Sequence, residues 1–138
     1  MNTGHKVVLV SAAIGLAFAA GLQSGIAQQS PPTENKGVGI KQLDTIDLAP
    51  EIQGMDGRQF RMRLITVEPG GVFGLHDHKD RPAIDYVISG AVVDHRGADA
   101  KTYGPGTSIF ETHETVHWVE NKGPGQAVLV SADILKKP

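Results

Sequence analysis

Two stretches of this chain carry imidazoles at spacings that suit a metal ion. One is HETVH at 113–117, which fits the pattern HExxH, and the other is HDH, running from His76 to His78. In the first pattern, histidines four apart share one helix face and bind zinc, while the glutamate acts as general base on the metal-bound water. In the second, residues i and i+2 of an extended chain point to one side about 6.7 Å apart, so both rings can converge on a single ion. The two patterns demand different local structures, and the elements around each decide between them.

HETVH contains Thr115 and Val116 and runs into Trp118 and Val119, a composition that favours strand over helix. A zinc protease also needs a third protein ligand. Beyond His117 there is no histidine, and the only acidic residues are Glu120 and Asp133. The sequence therefore speaks against a metalloprotease.

The elements that must carry the histidines read as short strands cut by turns. IKQLDTIDL (40–48) alternates apolar and polar residues, and QFRMRLITVE (59–68) is closed by EPGG. AIDYVISG (83–90) and AVVDHRG (91–97) read as two arms around Ser89 and Gly90, and YGPG as a turn, because Pro fixes φ and Gly admits positive φ. TSIFET, VHWVEN and QAVLVSADIL follow, with NKGPG as the last turn. Some seven strands spaced this closely indicate an all-β sandwich or barrel.

Composition sets the frame. The chain has 138 residues, 40% hydrophobic and 20% charged, which suits one small domain. A net charge of −2 gives no electrostatic reason to expect a nucleic-acid or membrane partner. At the start, Lys6 precedes VVLVSAAIGLAFAAGL, which carries no charge, and then QSGIAQQ. That order reads as a signal peptide over 1–27, cut after Ala27, and predicts an exported protein, periplasmic or secreted. The apolar run falls short of the ~20 residues of a membrane-spanning helix. The polar, Pro-rich residues 28–37 read as a flexible lead-in, and 38–138 as a single domain. With no cysteine in the chain, stability must come from packing, with or without a metal.

The spacing of the histidines and glycines resembles the cupin superfamily. Its first motif is a glycine, five residues, HxH, three or four residues, a glutamate, six residues and a glycine. Gly70, His76, His78 and Gly90 fit it. Its second is a glycine, five residues, PxG, two residues, a histidine, three residues and an asparagine. Gly106, His117 and Asn121 fit that one, and Ala91 to Pro105 separate the two. The resemblance spans roughly residues 40–134. It implies a double-stranded β-helix, or jelly-roll, barrel with a mononuclear metal site on His76, His78 and His117.

The chain departs from both motifs. Ala83 stands at the glutamate position, and Thr112 and Glu114 replace the second motif's Pro and Gly. Either three histidines suffice, as in some cupin dioxygenases, or a neighbour substitutes. Asp85 lies two residues beyond Ala83, on the same strand face, and ranks first as a supporting partner or catalytic base. His113 and Glu114 are close in sequence to His117. Imidazoles suit several divalent transition metals, so Fe, Mn, Ni and Zn stay open. Ligand histidines must be neutral, which predicts metal loss on acidification near pH ~6.5.

Cupin enzymes perform oxygenation, isomerisation and lyase chemistry on small organic molecules, and if this chain is catalytic the resemblance points first to dioxygenase-like chemistry. The alternatives are a non-catalytic module that binds a small ligand or metal, and a barrel without metal. A homodimer is the habit of small cupins. Other residues have structural readings: His95 as a solvated hairpin residue, Tyr86 and Trp118 as barrel-wall packing, and Asn121 as the start of a turn. Arg81 is read either as solvated or as meeting an anionic substrate at the barrel mouth.

Overall fold

In a half-buried strand every second side chain enters the core, and QFRMRLITV does this with Arg63, Ile65 and Val67, all buried. A computed structural model describes residues 30–138. The signal peptide expected at 1–27 and the first two residues of the lead-in lie outside that range. The described residues form eight strands and no helix: β1 Lys36–Asp47, β2 Arg58–Asp77, β3 Ala83–Ser89, β4 Val92–Arg96, β5 Asp99–Tyr103, β6 Ser108–Glu111, β7 Val116–Glu120 and β8 Ala127–Lys136. All pair antiparallel in the order β5-β4-β7-β2-β8-β3-β6, with β1 added to β2. The sheet curls into the nearly closed all-β barrel that the resemblance implied. Its core joins Ile65, Val67, Val87, Val92, Ile109, Ala127 and Leu129, with Phe73 and Val119 packed against them.

Three elements differ from the reading of the sequence. First, β2 does not stop at EPGG but turns a corner there. Its first half lies between β1 and β8, and its second half pairs with β7. Gly70 takes φ +70° at the bend, a left-handed conformation that costs glycine little. The backbone stays bonded across the corner, since Gly70 N donates to the Asn121 carbonyl and Asn121 N to that of Gly71. The buried Asn121 side chain adds donation to the Val67 and Gly125 carbonyls and accepts from Gly123 N. Asn121 therefore clamps the corner to the turn before β8, and its role is structural.

Second, β3 and β4 are not two arms of one hairpin. β3 pairs with β6 and β8, whereas β4 pairs with β5 and β7, so the chain crosses the barrel at Gly90. That glycine has φ +69°, and a Cβ there would sit 2.7 Å from Ala127 Cα and from the Gln126 carbonyl oxygen. Gly90→Ala should lower stability by at least about 2 kcal/mol, from backbone strain plus overpacking. Urea unfolding should show a lower midpoint at an unchanged slope.

Third, β5 was not anticipated. Its side chains are exposed except for the half-buried Tyr103, so no apolar alternation marks it. The lead-in also ends earlier than residue 37, with β1 beginning at Lys36. Leu75 N donates to the Pro32 carbonyl and Gly74 N to the Asn35 side chain, tying this segment to the second half of β2.

Candidate metal centre

The corner in β2 and the inward face of β7 bring the three histidines together. His76 and His117 are register partners on β2 and β7, and His78 follows just past the end of β2. His117 Nε2 lies 3.1 Å from Nε2 of His76 and 3.1 Å from Nε2 of His78. His78 and His117 are buried, at 2% and 1% exposure, and His76 is half-buried. The trio is the one found by sequence spacing.

The other ring nitrogens decide the tautomers. His76 Nδ1 faces the Gly74 carbonyl at 2.8 Å, and His78 Nδ1 faces the Arg81 carbonyl at 2.9 Å. A carbonyl only accepts, so both Nδ1 atoms carry the proton. His117 Nδ1 lies 2.7 Å from Asp94 Oδ1 and donates to that carboxylate. In the neutral rings all three Nε2 atoms therefore present bare lone pairs to one another, which repel unless a cation stands among them. The donor set fits a transition-metal ion, and the carbonyl and carboxylate partners fix the rings as outer partners of metal-ligating histidines do.

Burial holds His76 below its ordinary value and pushes His78 down to about 4. His76 and His78 therefore stay neutral in more acid solution than the unperturbed value of ~6.5 suggests. Asp94 is buried on β4. Burial alone would raise its pKa, but the bonds and charges of His117 and Arg96 outweigh this and hold it low. Asp94→Asn should keep the fold and weaken metal binding by about 10–100-fold, the usual cost of losing such a support. Competition against a chromophoric chelator measures it.

Two carboxyls enter the same cavity. Asp85, the expected base, lines it with Oδ1 buried and without a hydrogen-bond partner. It is register partner to Ser131 and Ile109. Burial raises its pKa, opposed by Ser131 and Arg63. Glu111 on β6 was missed by sequence reasoning. It is 4% exposed, with Oε2 3.3 Å from His78 Nδ1 and Oε1 3.5 Å from His117 Nε2. Burial, then the charge of Asp85, pushes it up to about 8. The signal was present in SIFE, where Glu111 shares a strand face with the core residue Ile109.

A basic cluster closes the far side. Arg61 holds Asp133 with two bonds of 3.0 and 2.7 Å, and Arg63 and Arg81 reach the same carboxylate at 3.1 and 3.3 Å. Arg63 also bonds Ser131, and its buried Nε has no partner. Arg63 and Arg81 both line the histidine cavity, whose apolar walls include Ile65, Phe73 and Leu129 and whose free volume is about 30 Å³.

The remaining candidates lie elsewhere. His113 and Glu114 have side chains 75% and 82% exposed, in the turn before β7, so neither reaches the centre and no HExxH helix forms. His95 is not solvated: it stacks on Trp118 at 3.8 Å and bonds Glu120 at 2.7 Å. Tyr86 is half exposed on the outer face.

A cupin-domain family model matches residues 63–133, just over half of the chain and all three histidines. The chain belongs to the cupin family. Solved structures agree on the fold of this cupin. A predicted oxalate decarboxylase from Thermotoga maritima aligns with a TM-score of 0.58 at 19% identity, over 77% of this chain and 94% of that one. The polyketide cyclase RemF from Streptomyces resistomycificus gives 0.60 at 19% identity, over 78% and 71%. KdgF from Halomonas sp. gives 0.56 at 18%, over 72% and 86%. Comparison with curated protein sequences finds no match.

Proposed function

We propose that this cupin is an exported enzyme that holds one divalent transition metal on His76, His78 and His117 and transforms a small organic anion. The observation that carries the reading is the convergence of three unprotonated Nε2 atoms in a buried cavity. A bound ion would supply Lewis acidity there. The protein supplies the rest. Arg63 and Arg81 face the same cavity, and three guanidiniums share one aspartate, leaving positive charge to orient an anionic group. Asp85 is the proton acceptor: burial makes its carboxylate more basic than an exposed one. Ile65, Phe73 and Leu129 limit water at the site. Oxygenase, isomerase and lyase chemistry are all compatible with these parts, and shared architecture does not choose among them.

The small free volume supports a second reading, a non-catalytic module that captures a small ligand or the metal itself outside the cytoplasm. The two separate in a turnover screen of small carboxylates and hydroxy acids with Fe(II)-, Mn(II)-, Ni(II)- and Zn(II)-loaded protein. Product with one metal, abolished in His76→Ala, is expected of the enzyme. Metal or ligand binding without product in any arm overturns it in favour of the module. Export rests on the apolar run after Lys6, and intact mass should find a mature chain beginning at Gln28 outside the cytoplasm.

A further inference from the structure

We propose that Glu111, on β6, gives the metal the carboxylate that the cupin pattern places at residue 83, on β3. This rests on the metal reading above and concerns which strand completes the ligand set. Ala83 and Glu111 are register partners in the β3–β6 pair, and both are buried, at 5% and 4% exposure. Opposed residues of an antiparallel pair have Cβ atoms only about 4.5–5.5 Å apart on the same face. A carboxylate lost at one of these positions and gained at the other has moved by one strand without leaving the cavity, and the methyl group of Ala83 leaves room for it.

One carboxylate oxygen stands within reach of an ion held on His117. Donors bound at about 2.1 Å lie about 3.0 Å apart at right angles and about 3.4 Å apart at the tetrahedral angle. His117 Nε2 is 3.1 Å from each of the other two Nε2 atoms and 3.5 Å from Glu111 Oε1. Glu111 Oε2 instead faces the proton-bearing Nδ1 of His78 at 3.3 Å, outside the compact cluster of the three rings, so the carboxylate turns from that ring toward the Nε2 atoms when it binds. The environment agrees as well. Among the described residues the only ionisable partners of the Glu111 carboxylate are His78 and His117, and no Lys or Arg pairs with it. A buried carboxylate without a basic partner is costly, and a divalent ion among the neighbouring imidazoles supplies the missing counter-charge. Asp85, the other candidate, instead sits opposite Ser131 and Ile109 and near Arg63.

The test is Co(II) titration of the purified, chelator-stripped protein, reading both affinity and the visible ligand-field spectrum, with melting curves to confirm folding. Glu111→Gln is expected to weaken Co(II) binding at least tenfold and to change the spectrum. The double variant Ala83→Glu/Glu111→Ala returns the carboxylate to β3 with little change in total side-chain volume. It is expected to bind more tightly than Glu111→Ala alone. Binding and spectrum unchanged in Glu111→Gln, while His76→Ala has lost the metal, overturn the assignment and leave the three-histidine site intact. A double variant no tighter than Glu111→Ala overturns the equivalence of the two positions. Co(II) binding that does not depend on His76 overturns the metal reading itself, and this assignment with it.

Discussion

Asp133→Asn should lower the unfolding free energy of the protein by about 3–5 kcal/mol at neutral pH, the usual cost of removing one partner from a buried ion cluster. The Asp133 side chain is fully buried and accepts from Arg61, Arg63 and Arg81. Asparagine keeps the shape but leaves three guanidiniums facing one another without their shared anion. The sign of the pH dependence follows from the carboxyl. Burial tends to raise its pKa, yet the bond from Arg61 and the charges of Arg63 and Arg61 win and hold it below the ordinary value. Its contribution is therefore complete above the unfolded value of ~3.9 and fades as pH falls through the lower, folded one. Urea unfolding at pH 7 should separate variant from wild type widely, and the gap should narrow below about pH 4. An equal gap at both pH values would mean that the loss is one of packing rather than charge.

His117→Ala should reduce metal affinity by well over the ~100-fold that removal of a supporting residue costs. It deletes the ring whose Nε2 lies 3.1 Å from both other donors. It also strands Asp94, which is 3% exposed and, among the described residues, keeps only Arg96 as a side-chain partner. The metal-free variant should consequently unfold more easily than metal-free wild type, by about 1–3 kcal/mol for the unsatisfied group. The double variant His117→Ala/Asp94→Ala should recover part of that stability and none of the affinity. Calorimetric melting beside elemental analysis distinguishes the two losses.

The histidines were legible because their constraint is local. An HxH pair at the end of a strand and a third histidine in a β-branched stretch are visible in one dimension, and the glycine spacing tied them together. The inward face of Glu111 could be read from its alternation with Ile109, but its place opposite Ala83 could not, because that depends on the register of β3 on β6, a long-range pairing that no local pattern encodes. The same limit explains β3 and β4. Ser89 and Gly90 carry ordinary turn chemistry, and adjacent strands often form hairpins, but here β3 pairs with the distant β6 and β8, and β4 forms its hairpin with β5 instead. The basic cluster was hidden differently. In RMRLITV either alternate set is plausible as the core face, and the inward set proved to include Arg63 beside Ile65 and Val67, since Asp133 and Ser131 on β8 neutralise and bond it. His95 was misread because its partners, Trp118 and Glu120, come from a strand outside its own hairpin.

The pairing of β2 with β8 joins residue 58 to residue 136 and residue 67 to residue 127. Such a barrel has an order of assembly imposed on it. Until the final strand is available, the first half of β2 lacks one of its flanks and most of the core has nothing to close against. Closing so distant a pair is slow compared with local contacts. On the proposed three-histidine reading, an ion would have no cavity to enter while the polypeptide is still emerging, and loading would follow completion of the sheet.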